Sequence, residues 1–259
     1  ILAKSQNIEI VQKHLPKLFE NINKMDLRNE GRFHVVTGMI SAEGEVVSFN
    51  KSSLQARGNV ETWLDSIQRS MFEVIQKLLK EGLNDFTESK FKTRNDWVLN
   101  HHGQVVSVIS HVLWCWTIQE AINELQNNPD SLDDCYVQNL DQLGKLTELV
   151  RSNITSLQRK IVVALITQDV HARDIVEKLK IDQVDSPSHF TWQQQLRYYW
   201  DYERDTCNVK QVTAVMNYGY EYLGATSRLV ITPLTDRCWF TITGALHLSL
   251  GAAPAGPAG

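Results

Sequence analysis

Val60, Trp63, Leu64, Ile67, Met71, Val74, Ile75 and Leu78 recur at helical spacing and lay one unbroken apolar stripe along a single helix face. Such a stripe needs a partner surface, so the chain must build a helical core. Asn59 precedes it as an N-cap, Glu61 sits in the positive first turn, and Gly82 is expected to end it. Further stripes run through Val105, Ile109, Val112 and Trp116, stopping before Asn128-Pro129. Tyr136, Leu140, Leu143, Val150 and Ile154 mark another, and Leu157 to Leu179 continues the pattern until Ser186-Pro187. Trp192, Leu196, Tyr199 and Trp200 predict a shorter helical piece. An earlier helix, Ile8 to Phe19, is interrupted at Pro16.

The period changes in two places. Phe33 to Ile40 and Glu45 to Phe49 are β-prone runs around Ala42-Glu43-Gly44, and Gly44 supplies the positive φ of a tight reversal. This predicts a β-hairpin near residues 33–49, with Glu43, Gly44 and Glu45 as a projecting polar tip. Beyond Trp200, Val212, Ala214, Met216 and Tyr218 alternate as a half-buried strand does. A short apolar run, Leu229 to Ile231, ends at Thr232-Pro233. A compact helix is expected from about Thr235, with Cys238, Ile242, Ala245 and Leu246 on one face, then a buried strand from Leu248 to Ala253. The expected fold is mainly α: an elongated helical bundle with an inserted β-hairpin, followed by the N-terminal edge of an α/β module.

Several chemistries lack support. The formal charge of −4 provides no global basic surface for nucleic acid or acidic lipid, and no apolar run approaches a membrane span. Cys115, Cys135, Cys207 and Cys238 are scattered without zinc spacing and read as reduced thiols; the adjacent His101 and His102 cannot share one helical metal site. Asp169, His171, Arg173 and Asp174 lie on a helix where Asp169–Arg173 reads as ordinary i,i+4 pairing. Trp192, Tyr198, Tyr199, Trp200 and Tyr202 read as core packing, because no basic stripe accompanies them. Ile1-Leu2-Ala3-Lys4 has neither an initiator Met nor a leader pattern, as expected of a piece of something longer. Gly256 and Gly259 fit the opening of a GxxxxGK[ST] phosphate loop, although the same Gly/Ala/Pro stretch also suits a plain linker.

Tyr218-Gly219-Tyr220-Glu221-Tyr222-Leu223-Gly224, followed by Arg228-Leu229-Val230-Ile231-Thr232-Pro233-Leu234-Thr235-Asp236-Arg237-Cys238, resembles the entry to the first AAA+ module of dynein heavy chains. Ala253-Pro254-Ala255-Gly256-Pro257-Ala258-Gly259 resembles the start of that module's Walker A loop. Ala164 to Asp174, Gln195 to Trp200, the Glu43-Gly44-Glu45 hairpin and Arg57 to Leu64 are similar to the late linker. The resemblance covers nearly the whole chain and is closer to axonemal than to cytoplasmic dyneins, with Ala252 standing where a glycine is expected.

The resemblance implies a late linker over residues 1–222 and the start of the first AAA+ module over 223–259, cut within the Walker A loop. Function would be force transmission, coupling ATP hydrolysis in the AAA+ ring to movement along microtubules. The alternative is a helical interaction scaffold with no nucleotide role. Leu229, Val230, Ile231, Thr232 and Pro233 would line the adenine pocket, and Gly256, Pro257, Ala258 and Gly259 would begin the phosphate cradle. No catalytic or metal residue is assigned. ATP or ADP with Mg belongs to the intact motor, while this stretch alone lacks the Walker A Lys and Ser/Thr. Implied partners are the rest of the heavy chain with its AAA+ ring, microtubules and other axonemal dynein subunits, without nucleic acid or membrane. The implied location is the cytoplasm and cytoskeleton, in the axoneme of a cilium or flagellum.

Overall fold

The computed structural model describes residues 8–31, 33–49, 54–225, 230–253 and 255–256. It divides into two compact units. One comprises Ile1–Val106, Ile154–Ile161 and Gly219–Thr226; the other comprises Ser107–Asn153, Val162–Tyr218 and Ser227–Gly259.

The first unit opens with α1 (Ile8–Gln12) and α2 (Leu15–Leu18), split where the proline sits near the start of the second helix. A four-stranded antiparallel sheet follows, built of β1 (Lys24–Asn29), β2 (His34–Ile40), β3 (Val46–Ser48) and β4 (Gln55–Ala56). The central strand β2 pairs with β1, β3 and β4. The expected hairpin is therefore the middle of a larger sheet. β1 escaped the sequence reading because Lys-Met-Asp-Leu-Arg-Asn buries only Met25 and carries no apolar alternation.

The long stripe folds as α3 (Val60–Thr87), with Trp63, Ile67, Met71, Val74, Ile75, Leu79 and Leu83 buried. Asn59 is its N-cap by position, without a side-chain cap bond. Gly82 does not end the helix. A Cβ there would stand 2.3 Å from Val105 Cγ1, so this glycine permits a close approach. Its carbonyl also accepts from the buried Trp97 Nε1 at 3.0 Å. Trp97 lies on α4 (Arg94–Asn100), whose Thr93 cap accepts from Asp96 N.

In the second unit, α5 (Gly103–Glu124, from residue 107), α6 (Ser131–Arg151) and α7 (Ser156–Ile181, from residue 162) enclose a core of Cys115, Ile118, Ile122, Leu132, Val176, Leu179 and Trp192. α5 is the one described helix long and apolar enough to cross a bilayer by composition, and 56% of that window is buried inside the protein. Trp116 and Leu140, expected on apolar faces, are instead 63% and 43% exposed.

A short α8 (Phe190–Gln193) then leads into β5 (Arg197–Asp201), β6 (Thr206–Gln211) and β7 (Ala214–Asn217), a three-stranded antiparallel meander. This corrects the helical reading of Tyr199 and Trp200, which are strand residues paired with Asn208 and Cys207. Four apolar residues fit a helical face too briefly to decide the period; the β6 partner decides it. The chain continues through α9 (Pro233–His247), which packs against β6 and β7. Residues 248–253 form no strand, and Leu248 and Leu250 are 67% and 58% exposed. A strand needs a neighbour to receive its ladder, and the described residues place none there.

Candidate functional site

The run expected to hold a nucleotide base is set by the start of α9. Thr232 is the N-cap: its Oγ1 accepts from Thr235 N at 3.3 Å, and Thr235 Oγ1 accepts in return from Thr232 N at 3.4 Å. Pro233 takes the first helical position, where its missing N–H costs nothing. Val230 is 72% exposed, Ile231 half-buried, and Thr232 and Pro233 exposed. Gly256 is exposed, and a Cβ there would meet nothing within 4 Å. Leu229, Pro257, Ala258 and Gly259 lie outside the described residues. The described members of the expected base and phosphate sets are thus separated along the chain by α9 and form no enclosed pocket.

α9 carries the matching surface property. Thr243 is its one fully buried side chain, while Leu234, Trp239, Phe240 and Leu246 are between 41% and 72% exposed. Phe240 meets Phe190 edge-to-face with centroids 6.2 Å apart. Nearby, His171 of α7 interacts with Asp236; burial lowers the His171 pKa, while Asp236 and Asp174 act to raise it.

A second constellation, absent from the sequence reading, gathers in the first unit around Gly219 to Ala225. Glu45 is 3% exposed; its Oε1 accepts from Gly103 N at 2.7 Å and its Oε2 accepts from the Tyr222 hydroxyl at 2.6 Å. The first N–H groups of a helix lack intrahelical acceptors, so a carboxyl group at the α5 start meets an open donor. Gln104 donates from Nε2 to Glu221 O at 2.7 Å and accepts at Oε1 from Leu223 N at 2.9 Å. Asn21 donates to Leu223 O at 2.8 Å and to Glu43 Oε2 at 3.3 Å. Burial, with Glu45 as neighbour, pushes the Tyr222 phenol well above its usual range, so it stays a donor. Burial opposes ionisation of Glu43, yet its own backbone N–H, Ser41, Asn21 and Lys160 together hold its carboxyl below the usual range.

The projecting two-carboxylate tip is therefore corrected. Gly44 does turn the chain with φ +86, and Ser41 Oγ accepts from Glu43 N and Glu45 N, but both acidic side chains engage the protein itself. Beside this node a cleft of about 410 Å³ is lined by Leu18, Phe19, Glu61, Leu64, Met71 and Tyr222, among others.

The remaining sequence candidates resolve as structure. Burial pushes the Cys115 thiol up to about 12, so this thiol stays protonated. Among the described residues, no group of three or more His, Cys, Asp or Glu is arranged to hold a metal. His101 Nδ1 is 2.8 Å from Trp97 O and Nε2 is 3.3 Å from Asp85. Arg173 places Nε and Nη2 on Asp174 at 2.9 and 2.6 Å. Trp192 and Trp200 are core residues, whereas Tyr202 is 70% exposed.

Comparison with known proteins agrees with the two ends of this arrangement. Residues 1–82 match the family described as dynein heavy chain, N-terminal region 2, and residues 218–259 match the hydrolytic ATP binding site of dynein motor region. The chain belongs to the dynein heavy-chain family. It is 42% identical to human dynein axonemal heavy chain 6 and 41% identical to mouse dynein axonemal heavy chain 3, in each case over 100% of this chain. It is 38% identical, also over its full length, to the dynein-1-beta heavy chain of the flagellar inner arm I1 complex of Chlamydomonas reinhardtii. The chain spans only 6–7% of the length of these relatives.

Proposed function

We propose that this stretch is the late linker and first-module entry of an axonemal dynein motor, acting in cilia or flagella as a force-transmitting element. In the intact heavy chain it would couple ATP hydrolysis, with Mg, in the AAA+ ring to movement along microtubules and work with other axonemal dynein subunits. One observation supports this most directly. Gly219 to Ala225, inside the stretch that matches the ATP-binding family, are packed in the same compact unit as residues matching the N-terminal region. In this reading a mechanical element and the edge of a nucleotide module would be joined by side-chain hydrogen bonds as well as by the chain.

In this reading Leu229, Val230, Ile231, Thr232 and Pro233 contact adenine, and Gly256, Pro257, Ala258 and Gly259 begin the phosphate cradle. The exposure of Val230 and of Leu234, Trp239, Phe240 and Leu246 on α9 suits a surface that the rest of the module covers. The late linker would then end at residue 222 and the first AAA+ module would begin at residue 223.

The test uses the full heavy chain, with one fluorophore on the exposed face of α3 and one on the AAA+ ring. Energy transfer is expected to change between ATP and ADP states. Transfer that stays constant while ATP turns over would refute the mechanical role. Separately, V230E is expected to raise the KM for ATP roughly tenfold, the effect of about 1.4 kcal/mol at an apolar contact; an unchanged KM would remove Val230 from the base site.

A further inference from the structure

The segment from Gly219 to Ala225 is gripped to a degree that covalent connection alone does not require. Three residues from three separate elements bind it: Gln104 at the α5 start, Asn21 before β1 and Glu45 beside the β2–β3 turn. Gln104 treats the strap as a strand partner, taking the carbonyl of Glu221 and the N–H of Leu223 with the two ends of one amide. Tyr222 is 1% exposed and Glu45 3%, so water is kept from the bond between them, while the Gln104 bonds to Glu221 and Leu223 are partly buried.

Backbone geometry points the same way. Tyr220 and Gly224 hold φ values of +55 and +59, and Tyr220 does so without being glycine. A strained residue persists where its surroundings over-determine it. A Cβ on Gly224 would stand 2.3 Å from Asn21 Nδ2, and one on Gly103 would stand 2.8 Å from Ala225 Cβ. Two glycines thus let the strap and its holders approach more closely than side chains would permit.

We infer that the strap is a clamped anchor, in which Glu45, Gln104 and Asn21 fix Tyr222 and Leu223 so that displacement of the downstream nucleotide segment is delivered into the first unit rather than lost by stretching the connecting chain. This deepens the force-transmission reading and rests on it. Glu45 and Gln104 are positioning residues; they act through the strap and touch no nucleotide. Glu45 has a second function, because its other oxygen holds the first N–H of α5. Pulling on Tyr222 therefore loads the turn after β2 and the start of α5 together.

Y222F removes one hydroxyl and keeps the ring. In the full motor it is expected to leave the KM for ATP and the ATPase kcat within about twofold of the wild type. It should lower microtubule gliding velocity at least about twofold and shrink the ATP-dependent change in energy transfer, the signature of lost coupling. Q104M, which keeps the length and removes both hydrogen bonds, should act in the same direction. Gliding and energy transfer matching the wild type in soluble Y222F would overturn the clamp. A parallel loss of kcat and velocity would equally count against it, as damage to the module itself.

Wild-type energy transfer that ignores nucleotide would sink the underlying reading instead, so the two failures are separable. If both variants fail to fold, hydrogen exchange on the wild-type motor decides. Amides of residues 219–225 are expected to exchange as slowly as those of α5 in every nucleotide state, and exchange at the rate of exposed loops would refute the anchor.

Discussion

Three helical glycines give opposite responses to the same methyl group. Helix propensity alone favours Gly→Ala in an interior turn by about 1 kcal/mol. Gly144 on α6 follows that rule, because a Cβ there meets nothing within 4 Å. G144A should stabilise α6 by about 0.5–1 kcal/mol. Gly82 on α3 opposes it, with Val105 Cγ1 2.3 Å from the added carbon.

Valine is β-branched and stiff at χ1, so it cannot swing aside cheaply. Overpacking of this kind costs about 1–3 kcal/mol, and the short contact places Gly82 near the upper end. The net loss for G82A is about 2 kcal/mol once propensity is credited. G103A meets Ala225 Cβ at 2.8 Å and Ala225 Cα at 2.9 Å, where backbone must give. At the first residue of α5 little propensity is gained in return, leaving a loss of about 1–3 kcal/mol.

At about 2–4 °C per kcal/mol for a chain of this size, thermal melts by circular dichroism resolve the signs. Hydrogen exchange, read separately for α3 and α6, assigns each shift to its own helix. G82A melting at or above the wild type, as G144A should, would refute the close-approach argument.

Burial lowers the pKa of His171 from 6.5, with Asp236 and Asp174 opposing; the folded state binds fewer protons than the unfolded chain, so stability is intact above 6.5 and declines as pH falls below it. Melting temperature should drop more steeply from about pH 7.5 to about pH 5.5 in the wild type than in H171Q, and equal slopes would dismiss the effect. α9 buries one side chain along its 15 residues, whereas α3 buries ten along 28. In the isolated chain α9 amides should exchange well before those of α3, and equal protection would show that α9 is stable on its own contacts. Supplied with Mg–ATP, these 259 residues, which contain no Gly-Lys-Ser or Gly-Lys-Thr, should show no turnover above buffer; turnover abolished by substitutions within them would contradict this.

Periodicity along the chain determined the long helices. Eight apolar positions from Val60 to Leu78 allow one local geometry, and α3, α5, α6 and α7 follow from such stripes. Gly44 likewise fixed the β2–β3 reversal, because its positive φ is a property of the residue itself. The family was legible in the runs Tyr218 to Gly224 and Arg228 to Cys238, which the match over residues 218–259 supports.

Tertiary structure decided whatever depends on a distant partner. Glu45 reads as a solvent-facing acid until the start of α5 and Tyr222, 58 and 177 residues away, supply its donors. Gly82 reads as a helix stop until Val105 arrives beside it. Trp192 to Trp200 reads as a helical piece until β6 offers its ladder to Tyr199 and Trp200, and Leu248 to Ala253 reads as a strand although no described neighbour pairs with it. A local pattern reports the period of one segment, whereas the energy of a buried carboxyl group, a close helix contact or a strand edge lies in atoms brought there by the rest of the chain.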